Sequence, residues 1–272
     1  MANRSNLFRE ALLLMALSLI GALLEYPLAL MLKSIDRSEV ARTIPFLIVA
    51  SALTGLIPAV LKSNAGLGLP GAPIISARIA GARSAESLRS LGWIALRYAF
   101  FAAILGALAL FIVIVPMMVL HPAGEQISLP KSPILGTAPG RLAGVGAMVA
   151  IAAAFSEEIQ FRLVLTAVFA WIISRLSRAE RPGKAALWIA TILQAYAFGM
   201  IHLVPVAGPL LHNKLGLLIG GLMMPQTWEG VVFGRLYIKR GLEAAILAHG
   251  LMDAGLFALA ALGMWQSHLG AG

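Results

Sequence analysis

The chain has 272 residues, of which 60% are hydrophobic and 12% charged, with a mean hydropathy of +0.88. A soluble domain carries about 25% charged residues, so this composition excludes a disordered chain, a collagen and a coiled coil and points to an all-α, polytopic transmembrane helix bundle. The absence of cysteine excludes a disulfide framework, thiolate zinc sites and a cysteine nucleophile. The formal net charge of +9, from 21 Lys and Arg against 12 Asp and Glu, suggests nucleic acid at first sight. The basic residues fall instead in short segments between apolar runs, where they act as topology determinants, and no nucleic-acid partner is expected.

A membrane-spanning helix needs about 20 mainly apolar residues. In chain order, seven segments qualify: Ala11–Leu32, Thr43–Leu61, Tyr98–Leu120, Leu142–Ser174, Ala185–Leu211, Leu215–Ile238 and Leu242–Trp265. The segment Lys62–Arg97 differs. A turn rich in Gly and Pro is followed by Ser76–Arg97, whose spaced arginines suit an amphipathic helix on the membrane surface or a plain loop. His121–Arg141, with its prolines and glycines, reads as a loop. With seven crossings, thirteen basic residues fall on the side of the N-terminus and six on the other. The positive-inside rule then places the N-terminus in the cytoplasm, and the expected location is the plasma membrane of a prokaryote. The chain divides into N-terminal spans with an amphipathic linker (1–141) and a core carrying the polar motifs (142–265).

A charge at mid-bilayer costs about 2.5–3.5 kcal/mol on insertion scales, so each such residue is a functional candidate. They cluster in the C-terminal half. In Ser156-Glu157-Glu158-Ile159-Gln160-Phe161-Arg162, Glu158 and Arg162 stand four apart with the acid first, the favourable order for an ion pair. Glu157 is turned about 100° away on a helix and is left to face a cavity as a candidate general base. The bland alternative is a helix that ends there with its charges at the interface. Next, Phe198 and His202 share a helix face, as do His249 and Asp253. A lone helical His is more often a satisfied core residue, and an Asp four residues on often only fixes a His tautomer. A Glu pair, a His and a His/Asp pair on three apolar helices together supply what water activation and transition-state stabilisation require.

The order EExxxR, FxxxH, HxxxD on successive spans resembles the CPBP family, the CAAX prenyl endopeptidases and bacteriocin-processing or immunity proteins, which include lysostaphin-resistance-type members. The matching residues are Glu157, Glu158 and Arg162, then Phe198 and His202, then His249 and Asp253. The resemblance covers about Leu142–Trp265. Two positions depart from the pattern. Leu163 follows the motif Arg where many members have Gly, and Asp253 stands where the CAAX-cleaving enzymes resemble an Asn form. The resemblance implies an intramembrane endopeptidase in which Glu157 and His202 activate water while His249 and the residue at 253 support the oxyanion. Glu158, Arg162 and Phe198 are then structural support. A metal is left open: Glu157, His202 and His249 are candidate ligands of zinc at an open site, whereas a glutamate mechanism needs no cofactor. The implied partners are a membrane-anchored or lipidated protein or peptide and the lipid bilayer.

Two other functions compete. One is a non-catalytic scaffold or bacteriocin-immunity protein of the same fold. The other is a transporter, against which the two halves show no inverted repeat. One conflict stands in the sequence. If every helix is straight and fully spanning, His249 lies near one face, His202 toward the other and Glu157 midway. For the three to meet, the fifth helix must be displaced or tilted, 175–184 must dip into the protein, or the span count must be off by one.

Overall fold

The computed structural model describes residues 4–31, 48–84, 87–120, 138–203 and 214–270. Among them the secondary structure is helical, with no strand. In chain order the helices are α1 (Arg4–Met31), α2 (48–54), α3 (Ile57–Leu67), α4 (Pro73–Ile79), α5 (Leu88–Leu120) and α6 (Pro139–Glu157), which continues through a π-helical segment (Glu158–Leu165) into α7 (Thr166–Leu176). Then come α8 (Lys184–Leu203), α9 (Lys214–Met223), α10 (Pro225–Arg240) and α11 (Leu242–Gly270).

Among the described residues, five helices have the length and apolarity to cross a bilayer: Arg4–Leu24, Arg89–Val113, Pro139–Leu176, Lys184–Leu203 and Leu242–Gln266. The protein is an integral membrane helix bundle, and leucines, isoleucines and phenylalanines such as Leu23, Phe100 and Leu259 lie on its outer surface, where lipid solvates them. Two of the seven expected spans are not single helices. The 43–61 segment is divided, within its described part, by a turn at Gly55-Leu56 between α2 and α3. The 215–238 segment is broken at Met224, because Pro225 has no amide hydrogen to continue α9 and instead opens α10. The surface helix expected over Ser76–Arg97 is also not one helix. It is α4, a turn with Gly81 at φ 71°, and the first turns of α5. Of the expected loop at His121–Arg141, residues 121–137 lie outside the described residues, as do the loop at 33–42 and the end of the fifth expected span.

Polar contacts gather the start of α1, the α3–α4 corner and the α10–α11 junction at one end of the bundle. Ser76 Oγ donates to Glu10 at 2.6 Å, Ile75 N donates to Glu243 at 2.8 Å, and Leu242 N donates to the Gly71 carbonyl at 2.9 Å. Gly241, at φ 93°, makes the tight reversal between α10 and α11, a conformation that L side chains rarely adopt.

Without a hydrophobic drive between helices in lipid, close approach rests on small residues. A Cβ on Gly199 of α8 would collide with the Thr227 hydroxyl of α10, and one on Gly230 would lie 2.9 Å from Ala195 Cα. A Cβ on Gly21 of α1 would lie 2.6 Å from the Ala152 carbonyl of α6. Gln194 Nε2 donates to the Gly230 carbonyl at 2.9 Å, tying α8 to α10. Burial on α8 begins only at Ala190, six residues after its start. Its first two turns carry exposed or half-buried side chains, with Leu187 packed on the core and Trp188 beside Arg235 of α10. At its far end His202 lies 3.8 Å from Glu157, which in turn lies 3.7 Å from His249, so the three residues meet.

Candidate active site

The first motif lies where the α6–α7 helix widens. The helix does not end at Glu157, so the reading of interfacial charges at a helix terminus does not hold. Instead, Glu158–Leu165 takes π-helical spacing, a local distortion that recurs at functional sites. The Thr166 hydroxyl donates to the Phe161 carbonyl at 3.1 Å, bridging the end of this segment.

Within it, Glu158 Oε2 lies 3.1 Å from Arg162 Nε, and both side chains are 0% exposed. The angle is not that of a hydrogen bond, so the attraction is coulombic and is strengthened by the low local dielectric. The guanidinium carbon sits 4.5 Å from the ring centre of Phe198 and 5.8 Å from that of Phe233, so aromatic faces complete the cation's surroundings. Glu158 Oε1 accepts a hydrogen bond from His249 Nδ1 at 2.9 Å. One buried carboxylate therefore joins the first motif to the third.

Glu157 is placed differently. Its side chain is 11% exposed, and it lies between two imidazoles, with Oε1 3.8 Å from His202 Nε2 and Oε2 3.7 Å from His249 Nε2. Both distances exceed a direct hydrogen bond and leave room for a shared water. His202 Nδ1 donates to the Phe198 carbonyl at 2.8 Å. A carbonyl only accepts, so the Nε2 of neutral His202 carries the lone pair and faces Glu157. His202 is 30% exposed, at the mouth of the site.

The two nitrogens of His249 face carboxylates, Glu158 on one side and Asp253 Oδ2 at 3.2 Å on the other. With those acids ionised, both nitrogens donate and the ring is a cation. Asp253 is 24% exposed and borders a cavity of about 310 Å³ together with Leu256 and Phe257.

Phe198 is the packing hub. Its ring meets Phe161 at 5.0 Å, His202 at 4.7 Å and His249 at 6.1 Å, all edge to face. All seven residues picked from the sequence thus fall in one cluster. Three more were not picked. Phe233 stacks on His249 at 5.2 Å and 21°, Phe161 packs on Phe198, and Glu229 is buried on α10. The hairpin register holds the signal for two of them. Phe233 and His249 are equally spaced about Gly241, and so are Glu229 and Asp253.

Among the described residues, no group of three or more His, Asp or Glu side chains is arranged to hold a metal ion. Glu157 lies 3.8 Å from His202 Nε2 and 3.7 Å from His249 Nε2, and the two nitrogens of His249 also face Glu158 and Asp253. No chemical step is assigned to a metal below.

Residues 139–255 match the family model of the type II CAAX prenyl endopeptidases, Rce1-like, a match consistent with a CPBP family intramembrane protease. No curated protein and no solved structure matches the chain.

Proposed function

We propose that the protein hydrolyses a peptide bond in a membrane-anchored or lipidated protein or peptide, using a water held between Glu157 and His202. The observation that carries this is Glu157, a carboxylate 3.8 Å from the lone-pair nitrogen of His202, which lies at the mouth of the site.

Water has two protons, and the two acceptors take one each as hydrogen bonds. The remaining lone pair of the water is then directed at the scissile carbonyl. As the C–O bond forms, Glu157 takes the proton, and the carbonyl π pair moves to oxygen as an oxyanion. His249, held through Nδ1 by Glu158, shares its Nε2–H between Asp253 and that oxyanion. Collapse expels the amine, which receives the proton stored on Glu157. The other water proton stays on the new carboxyl group, so the products are a carboxylic acid and an amine. These exchange that proton to become carboxylate and ammonium, and Glu157 is regenerated. General-base catalysis of this kind supplies about 10²–10⁴-fold, and one oxyanion donor about 10²–10³-fold. Glu158, Arg162 and Phe198 touch no reacting atom in this scheme and position the groups that do.

The test is turnover of a membrane-anchored peptide in proteoliposomes by wild type and Glu157→Gln, with folding checked by thermal melt. A folded variant with turnover reduced at least a hundredfold supports the mechanism. Full turnover would remove Glu157 from the role of base.

A further inference from the structure

α5 and α8 both pack on α10, and between the three helices lies a cavity of about 370 Å³. It is separate from the peptidase site. Arg235, which lines it, and Phe233, which stacks on His249, are two residues apart on α10 and project about 200° apart.

The cavity is chemically polarised. Arg97 of α5 and Arg235 of α10 line one end. Arg97 is exposed, and Arg235 is half-buried with its guanidinium carbon 4.8 Å from the ring centre of Trp188. Neither arginine has a carboxylate partner among the described residues. Away from them the wall is apolar. Phe101 and Leu105 follow Arg97 at one and two turns of α5, and Trp228 lies two turns before Arg235 on α10. Those two turns give an apolar wall of about 10–12 Å.

The arginine end is also the basic end of the bundle. Lys184 lies one turn before Trp188, and Lys239 and Arg240 follow Arg235 within about a turn and a half. That is the level at which lipid headgroups meet basic side chains, and long basic side chains reach it along apolar surface. A small anion would satisfy the arginines but leave the aromatic wall unfilled. A zwitterionic lipid brings its own ammonium group and no net charge. The occupant that fits both ends has a net negative phosphate head and an acyl chain.

We propose that this cavity binds one anionic glycerophospholipid, its phosphate held by Arg97 and Arg235 and an acyl chain lying against Phe101, Leu105 and Trp228. The site is independent of the peptidase reading and is testable without any substrate. The full-length protein in detergent micelles is titrated with phosphatidylglycerol or phosphatidylcholine brominated on the acyl chain, and quenching of tryptophan fluorescence is followed. Phosphatidylglycerol should quench at lower concentration than phosphatidylcholine, and the Trp188→Phe/Trp228→Phe double variant should lose most of that difference. Arg97→Gln and Arg235→Gln should each weaken phosphatidylglycerol binding about fivefold, the scale of one basic residue near an anionic surface. Arg235→Lys, which keeps the charge should α10 resent a neutral residue, should retain the lipid preference. Arg181→Gln, which removes an exposed charge from the 177–183 turn, should leave binding unchanged. Equal quenching by the two lipids would overturn the proposal, as would preference retained in the Arg97→Gln/Arg235→Gln double variant. Full displacement by millimolar inorganic phosphate would reduce the site to a simple anion site and overturn the lipid assignment.

Discussion

His249 Nδ1 lies 2.9 Å from Glu158 Oε1, so two motifs separated by 91 positions in the chain are joined by one buried hydrogen bond. The same carboxylate faces Arg162. Glu158 is therefore the link between the π-helical segment and α11, whereas its neighbour Glu157 faces the open side of the cluster. The two glutamates should respond differently to the same change. Glu157→Gln should fold as wild type and lose about 10²–10⁴ of turnover. Glu158→Gln removes the charge opposite Arg162 and should lower the melting temperature together with activity. Turnover per folded molecule, measured with a thermal melt on each variant, separates the two. Identical losses of fold in both variants would favour a non-catalytic polar cluster.

Arg162 is fully buried and sits against Glu158 and two aromatic rings. Arg162→Ala leaves the Glu158 carboxylate without its cation and opens a cavity beside Phe198. Breaking a buried ion pair by removing one partner costs about 3–5 kcal/mol. Lower folded yield in membranes and a clearly reduced melting temperature are expected. A wild-type melt would show that water reaches the carboxylate and that the pair is not a structural element.

α8, which carries His202, packs on α10, and Gly199 lies directly against Thr227 in that contact. Gly199→Val places a branched side chain on the Thr227 hydroxyl. Overpacking of this kind costs about 1–3 kcal/mol. It should also reduce turnover, because α8 carries His202 three residues further on. Gly144→Ala is the control: a Cβ there meets nothing within 4 Å, and its effect on both readouts should be small. Equal stability of the two variants would mean that α8 and α10 separate easily and do not fix the site.

Prolonged treatment with a strong chelator, followed by gel filtration and assay, should leave turnover unchanged. The expectation rests on the donor arrangement, since both nitrogens of His249 face acids and, among the described residues, no group of three His, Asp or Glu side chains is arranged to hold a metal ion. Loss of activity restored by added zinc would replace the carboxylate mechanism with a metal-assisted one.

Much of this protein is legible in one dimension because its strongest signals are local. Hydropathy alone implies a helical membrane bundle, since only helices and closed barrels satisfy their backbone in lipid. Three pairs that define the site are spaced four apart, so helix geometry already brings Glu158 to Arg162, Phe198 to His202 and His249 to Asp253. Even the broken span at 224–225 has a local signature in Pro225. What no local pattern contains is the relative height of the helices. The meeting of Glu157 with both imidazoles, the widening of the α6–α7 helix into π spacing at Glu158, and the α10–α11 reversal at Gly241 that brings Phe233 onto His249 are properties of the packed helices. Packing between helices fixes how they fit together, and between α8 and α10 it includes the fit of Gly199 against Thr227 and of Gly230 against Ala195. Hydropathy averages over such contacts. It reports that a helix crosses the membrane and leaves undetermined the height at which its functional side chain stops.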